Sequence, residues 1–176
     1  MKAMTSLATL TALAAAALLA ACGTMGNAGP KAVATLEPTK GNTASGTVTF
    51  QQKGDKVLVT ADIKGLKPNA ELGFHAHEKG DCSSGDGMST GGHFNPTGKS
   101  HGPQDAEHHA GDLPALKSDA NGNANVSFEL TGVTIGSGTT DLVGHGLIVH
   151  AGPDDFKTQP TGNSGARIAC GVIKAA

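Results

Sequence analysis

The chain has no tryptophan and no tyrosine, and phenylalanine occurs only five times in 176 residues. Aliphatic side chains must therefore build most of any core. No amphipathic helix of useful length and no internal repeat is present, which removes helical bundles and solenoids from consideration. Basic residues are not clustered, and the formal net charge is −2, so nucleic acid is excluded as a partner. The mild acidity is enough to serve solubility. What remains is a glycine-rich chain, with 26 glycines among many Val, Thr and Ile residues. That mixture predicts an all-β fold with many turns. The length allows one domain once a leader is subtracted.

Residues 1–21 form that leader: Lys2, an Ala/Leu-rich apolar run, then small residues. The run is too short for a membrane span and reads as a secretory signal. Its end, Leu19-Ala20-Ala21-Cys22, resembles the lipobox of bacterial lipoproteins. The resemblance makes Cys22 the first mature residue, carrying lipid that holds the protein to a membrane. The absence of Asp at position 23 points by the same resemblance to the outer membrane. Residues 22–30 read as a flexible tether, and the domain follows over 31–176. With Cys22 used, Cys82 and Cys170 are an even pair in an oxidising compartment, and a disulfide between them is expected.

Alternation of apolar and polar residues predicts strands over Lys31–Glu37, Gly46–Gln52, Lys56–Ile63, Glu71–His77, Leu113–Leu116, Ala124–Leu130, Leu142–His150 and Arg167–Ile173. Lys53-Gly54-Asp55 makes a hairpin of the second and third. Short strands separated by turn signals mean a sandwich or barrel.

One stretch does not fit that rhythm. Gly73–Asp112 is rich in Gly, Ser, Pro, Asn and Asp, so it reads as a long loop, and such loops tend to be functional. It holds six of the eight histidines. The strand period puts His75 and His77 on one face and Phe74 and Ala76 on the other. Likewise Ile148 and His150 share a face, opposite Leu147 and Val149. The histidines should then lie outside the barrel wall, beneath the loop and within reach of solvent. Imidazole suits copper and zinc. His75, His77 and His150 come from strands. His101, His109 and Asp112 come from the loop and make a set typical of tetrahedral zinc. His93 lies between the groups. Two metals with four protein ligands each would need one side chain shared, and His93 is the candidate; a water at either metal would also complete the count.

Gly73-Phe74-His75-Ala76-His77, Gly92-His93-Phe94-Asn95-Pro96, His101-Gly102-Pro103, His109-Ala110-Gly111-Asp112-Leu113 and Gly165-Ala166-Arg167-Ile168-Ala169-Cys170-Gly171-Val172-Ile173 resemble the copper–zinc superoxide dismutases. The resemblance spans nearly all of the chain from Lys31 onward and suggests a bacterial, exported member. It implies a flattened Greek-key β-barrel of immunoglobulin-like sandwich type, with a long metal-binding loop and an electrostatic loop. It implies dismutation of superoxide to oxygen and hydrogen peroxide. Copper would be held by His75, His77, His93 and His150, and zinc by His93, His101, His109 and Asp112. His93 would also deliver a proton. Asp154 would bond one ligand of each metal, His75 and His101. Arg167, helped by Lys157, would attract the anion.

The chain departs from the family in places. His108 adjoins His109; the family's His-x-Gly-Asp selects His109 as the ligand and leaves His108 solvated. His145 belongs to neither set and is expected to be exposed. The Ala151–Ala166 loop lacks the acidic cluster of eukaryotic members, and the tether has no His-rich or Met-rich run. A second copy of the chain is a candidate partner, since members assemble differently or not at all. A metal buffer on the same fold is the rival reading, but storage needs no arginine beside copper.

Overall fold

The structure, a computed structural model, describes residues 29–176. The expected signal, Cys22 and the tether through Ala28 lie outside the described residues. The strands are β1 (Lys31–Pro38), β2 (Ser45–Lys53), β3 (Lys56–Lys64), β4 (Glu71–Leu72), β5 (Phe74–His77), β6 (Leu116–Lys117), β7 (Ala124–Thr131), β8 (Gly146–His150), β9 (Arg167–Val172) and β10 (Lys174–Ala175). A 3-10 turn at Met88–Thr90 is the only helical element among the described residues.

The main sheet runs β5-β8-β9-β1-β2-β3-β7, antiparallel throughout, with β10 paired to the start of β1. β4 and β5 are one run of chain interrupted at Gly73, and β4 pairs with β6, which leads through a turn to β7. The wall therefore curls back toward its own edge. β3 passes on to β4 rather than to its sheet neighbour β7, which is a Greek-key connection. The fold is the all-β barrel expected from the strand pattern.

Alternation decides the core. Ala32, Ala34 and Leu36 of β1, Val48 and Phe50 of β2, and Val57, Val59, Ala61 and Ile63 of β3 all point inward and are buried. Phe74 and Ala76 face Val149 and Leu147 across the β5–β8 ladder, and all four belong to the same core. Burying an aliphatic or phenylalanine side chain stabilises by about 1.5–3 kcal/mol, so a chain short of large aromatics can still hold this barrel.

Two expected strands are shorter than their apolar pattern. β8 begins at Gly146, because Leu142–His145 closes a turn in which the Leu142 carbonyl accepts the His145 N–H at 3.3 Å, with Gly144 at φ 89°. β6 covers only Leu116–Lys117, because Leu113 is already committed to Phe74, whose carbonyl accepts its N–H at 3.3 Å. β10 was not expected; Lys174 and Ala175 extend the sheet against β1.

Cys82 and Cys170 are disulfide-bonded, with Cα atoms 5.9 Å apart. The bond ties the long loop to β9 across a separation of 88 residues, which in the chain-entropy view is worth about 4–5 kcal/mol.

Candidate metal centre

β5 and β8 supply the first three histidines, and the ladder His75↔Ile148, His77↔Gly146 sets them side by side. The loop then folds back against β5. Antiparallel bridges join His77 to His93 and His75 to Asp112. Ala76 sits between the two returning segments: its N–H donates to Gly111 O at 2.8 Å, and its carbonyl accepts from Phe94 N at 2.9 Å. Gly111 has to be glycine here, because a Cβ would collide with the Ala76 carbonyl and come within 2.9 Å of Phe94 N.

Seven side chains converge into two adjoining sets. His75, His77, His93 and His150 form one, and His93, His101, His109 and Asp112 form the other; within each set the donor atoms lie within 4.8 Å of one another. All seven residues are buried. The histidines do lie on the outer face of the wall, but burial is nearly complete, with His75 and His77 at 0% exposure. Solvent access is thus much narrower than the strand pattern suggested, because the returning loop roofs the face it shares with Ile148.

Four of the rings, His75, His77, His101 and His150, have one nitrogen engaged by a group outside the donor sets and the other left unpaired. His75 Nε2 donates to Asp154 Oδ2 at 2.5 Å, His77 Nδ1 to Gly91 O at 2.9 Å, and His150 Nδ1 to Gly165 O at 3.1 Å. His101 Nε2 donates to Asp154 Oδ1 at 2.8 Å. The opposite nitrogens, His75 Nδ1, His77 Nε2, His150 Nε2 and His101 Nδ1, are buried with no hydrogen-bond partner, as are His93 Nε2 and His109 Nδ1. His101 Nδ1 lies 3.0 Å from Asp112 Oδ2 without hydrogen-bond alignment. A buried unmet polar atom costs about 1–3 kcal/mol. Six in one place, with their lone pairs convergent, fit cations as the missing partners. Four imidazoles suit copper, and three imidazoles with one carboxylate suit zinc.

His93 belongs to both sets. Its Nδ1 is 2.8 Å from Asp112 Oδ1, while Nε2 points into the four-imidazole set. Asp112 is itself held by N–H groups of His109 at 2.9 Å and Gly102 at 3.3 Å.

Asp154 lies under both sets and also accepts the Phe156 N–H at 2.7 Å. Gly162, at φ 65°, passes so close that a Cβ would fall on Asp154 and His101. Gln159 clamps His101 from the same loop: its Oε1 accepts the His101 N–H at 2.8 Å, and its Nε2 donates to the His101 carbonyl at 2.9 Å.

The electrostatics follow from burial. Burial lowers His75, His77 and His150 to about 4, 2 and 3, so all three are neutral and free to ligate. Burial also lowers His109. For His101 burial is outweighed by the Asp112 and Asp154 carboxylates on either side of the ring, which raise it to about 9. For Asp112 and Asp154, burial would raise the carboxyls, but the histidine hydrogen bonds hold both well below the usual carboxylate range.

Arg167 sits opposite His150 across the β8–β9 ladder, at a register shift between Val149 and His150. Its Nη1 donates to Gly87 O and Thr90 Oγ1, both at 2.7 Å, and Nη2 to Gly91 O at 2.8 Å. Sequence reasoning missed those three holders and also Gln159; in the sequence they are ordinary loop residues. Lys157 is exposed. His108 is outside both sets, with Nδ1 donating to Ala106 O at 2.8 Å. His145 is half-buried rather than exposed, because its ring lies against Phe94 and its Nδ1 meets two carbonyls.

A family model described as copper/zinc superoxide dismutase (SODC) matches residues 44–173. The chain belongs to the copper/zinc superoxide dismutase family. It is 44% identical over 149 residues to superoxide dismutase [Cu-Zn] 2 of Aquifex aeolicus, covering 82% of this chain and 86% of that protein. Against superoxide dismutase [Cu-Zn] 1 of the same organism it is 44% identical over 128 residues, covering 70% and 76%. The crystal structure of the clock protein EA4 superposes with TM-score 0.76 at 39% identity, covering 83% of this chain and 94% of that one. A double mutant of a SOD-like protein from Bacillus subtilis gives TM-score 0.69 at 37% identity, covering 81% and 96%. Family membership accounts for a copper and a zinc side by side, and both donor sets suit the two metals.

Proposed function

We propose that the chain converts two superoxide anions and two protons into oxygen and hydrogen peroxide in the cell envelope. The observation that carries this reading is the His93 ring, with Nδ1 on Asp112 and Nε2 among His75, His77 and His150. Copper in the four-imidazole set would supply a one-electron couple, and zinc in the set containing Asp112, which has no redox chemistry, would hold His93 and the loop.

The chain's own groups do the rest. His93, anchored through Nδ1, can hold a proton at Nε2 and give it to the reduced anion. Asp154 fixes the tautomers of His75 and His101 by accepting from Nε2 of each, which leaves the Nδ1 of each ring to hold a metal when one is bound. Arg167 has three of its N–H groups taken by the loop. One Nη2 hydrogen and the Nε hydrogen remain for an anion. Lys157, exposed on the neighbouring loop, adds a second attracting charge.

The reading assigns residues 1–21 to a signal peptide, Cys22 to lipid attachment at the outer membrane, 22–30 to a tether and 31–176 to the catalytic domain. The Cys82–Cys170 disulfide suits an oxidising compartment such as the periplasm. The test is to load the purified full chain with both metals, measure their stoichiometry and follow superoxide consumption. Full loading without consumption rejects the enzyme and leaves a metal buffer. His93→Ala should uncouple the two metals spectroscopically; coupling that persists rejects the shared ring.

A further inference from the structure

His145 lies in neither donor set, yet it touches both chain segments that bring donors from opposite directions. Its Nδ1 is 2.9 Å from Glu78 O and 3.1 Å from His77 O, so one N–H is shared by the two carbonyls at the end of β5. Its ring lies 3.8 Å from the Phe94 ring, tilted by 30°. Phe94 follows His93 directly and is itself buried. The base of His145 is fixed as well: its carbonyl accepts Ile173 N at 2.9 Å, and Gly144 N donates to Ile173 O at 2.8 Å.

We infer that His145 is a positioning residue that sets the spacing between His77 and His93, and through it the geometry of the four-imidazole set. The inference rests on that set being the copper site. Three backbone hydrogen bonds already join the segments, Lys79 N to Thr90 O, Glu78 N to Gly92 O and Phe94 N to Ala76 O, each at 2.9 Å. They fix the register of the two segments along one another. A flat ring packed on Phe94 and bonded to the β5 end adds a side-chain brace between them. Imidazole is suited to the place because it offers a stacking face and an in-plane donor together. Phenylalanine would keep the face and lose the donor, and glutamine would keep the donor and lose the face.

That separation supplies the test. His145→Phe, His145→Gln and His145→Ala are made in the full chain. Copper paramagnetic resonance, copper and zinc affinities by chelator competition, and amide exchange of Glu78 and Phe94 in the metal-free form are measured on each. The expected result is a changed copper signal and a loss of copper affinity of roughly tenfold in His145→Ala, with zinc affinity retained, faster exchange at both amides, and intermediate behaviour in the two half-replacements. A wild-type copper signal in His145→Ala, however much its stability falls, overturns the inference, and so does an equal loss at both metals. If His145→Ala does not fold, the same comparison is made between His145→Phe and His145→Gln, where wild-type signals in both overturn it. If the unaltered chain takes no copper in this set, the copper reading itself fails; the exchange rates then decide whether His145 holds the two segments together, and unchanged rates reject it.

Discussion

His75 Nε2 lies 2.5 Å from Asp154 Oδ2, and the opposite nitrogen of the same ring has no hydrogen-bond partner. The other oxygen of Asp154 does the same for His101 at 2.8 Å. One carboxylate thereby sets the tautomer of a ring in each donor set. Asp154→Asn, which can no longer accept at both positions, should weaken both metals by about 10–100-fold, the usual cost of losing such a partner. Chelator competition for each metal checks it; weakening of one metal alone would show that the carboxylate does not link the sets.

Arg167 is held by Gly87, Thr90 and Gly91 rather than free to sweep. Burial lowers its guanidinium from the ordinary value, and Asp86 opposes that shift. It nevertheless stays a cation. Arg167→Ala should leave both metals bound, lower kcat/KM by roughly tenfold or more, and flatten its decline with ionic strength. A salt profile identical to that of the unaltered protein would refute steering by Arg167.

The metal-free protein should be acid-sensitive. His75, His77 and His150 have folded values near 4, 2 and 3 against an ordinary 6.5. The unfolded chain then binds more protons between those limits, so stability is complete above about pH 6.5 and is lost as pH falls, by up to about 1.4 kcal/mol per pH unit for each ring. The depressed Asp112 and Asp154 act in the same direction, below about pH 4. His101, raised to about 9, acts oppositely: its contribution is complete below about 6.5 and fades as pH climbs toward 9. Scanning calorimetry of chelated protein should show the midpoint dropping from about pH 6.5 to pH 4. A flat midpoint across that window would contradict the assignment of buried neutral rings. Both metals should also bind more weakly on the acid side, because protons compete for the same nitrogens.

Cys22→Ser should move the protein from the membrane fraction to the soluble periplasmic extract, with superoxide consumption per molecule unaltered. Continued sedimentation with membranes would remove the lipid anchor from the proposal.

Much was legible before any coordinates. The two-residue period of Val48, Phe50, Val57, Val59, Ala61 and Ile63 marks the core face of β2 and β3, because a strand alternates its side chains whatever its partner. The same period sends His75 and His77 away from Phe74 and Ala76. With Cys22 expected to carry lipid, Cys82 and Cys170 are the two cysteines left to pair with each other. Where the apolar pattern overran a strand, as at Leu142–His145 and Leu113, a competing backbone partner ended the ladder, and such partners are distant or cryptic in sequence.

Arg167 shows the limit most clearly. By simple alternation it shares a face with Ala169, which is in the core. The register shift between Val149 and His150 leaves Ile168 out of the ladder and sets Arg167 opposite His150 instead. A bulge depends on how two strands meet, and neither strand's own pattern encodes it. Residue types and their period thus determined which groups could become ligands and which face they occupy. Tertiary structure decided how deeply the loop buries them, which nitrogen of each ring is left open, and where the cation stands. Those depend on contacts between residues such as His75 and Asp154, or Arg167 and Gly87, that lie about 80 positions apart in the chain.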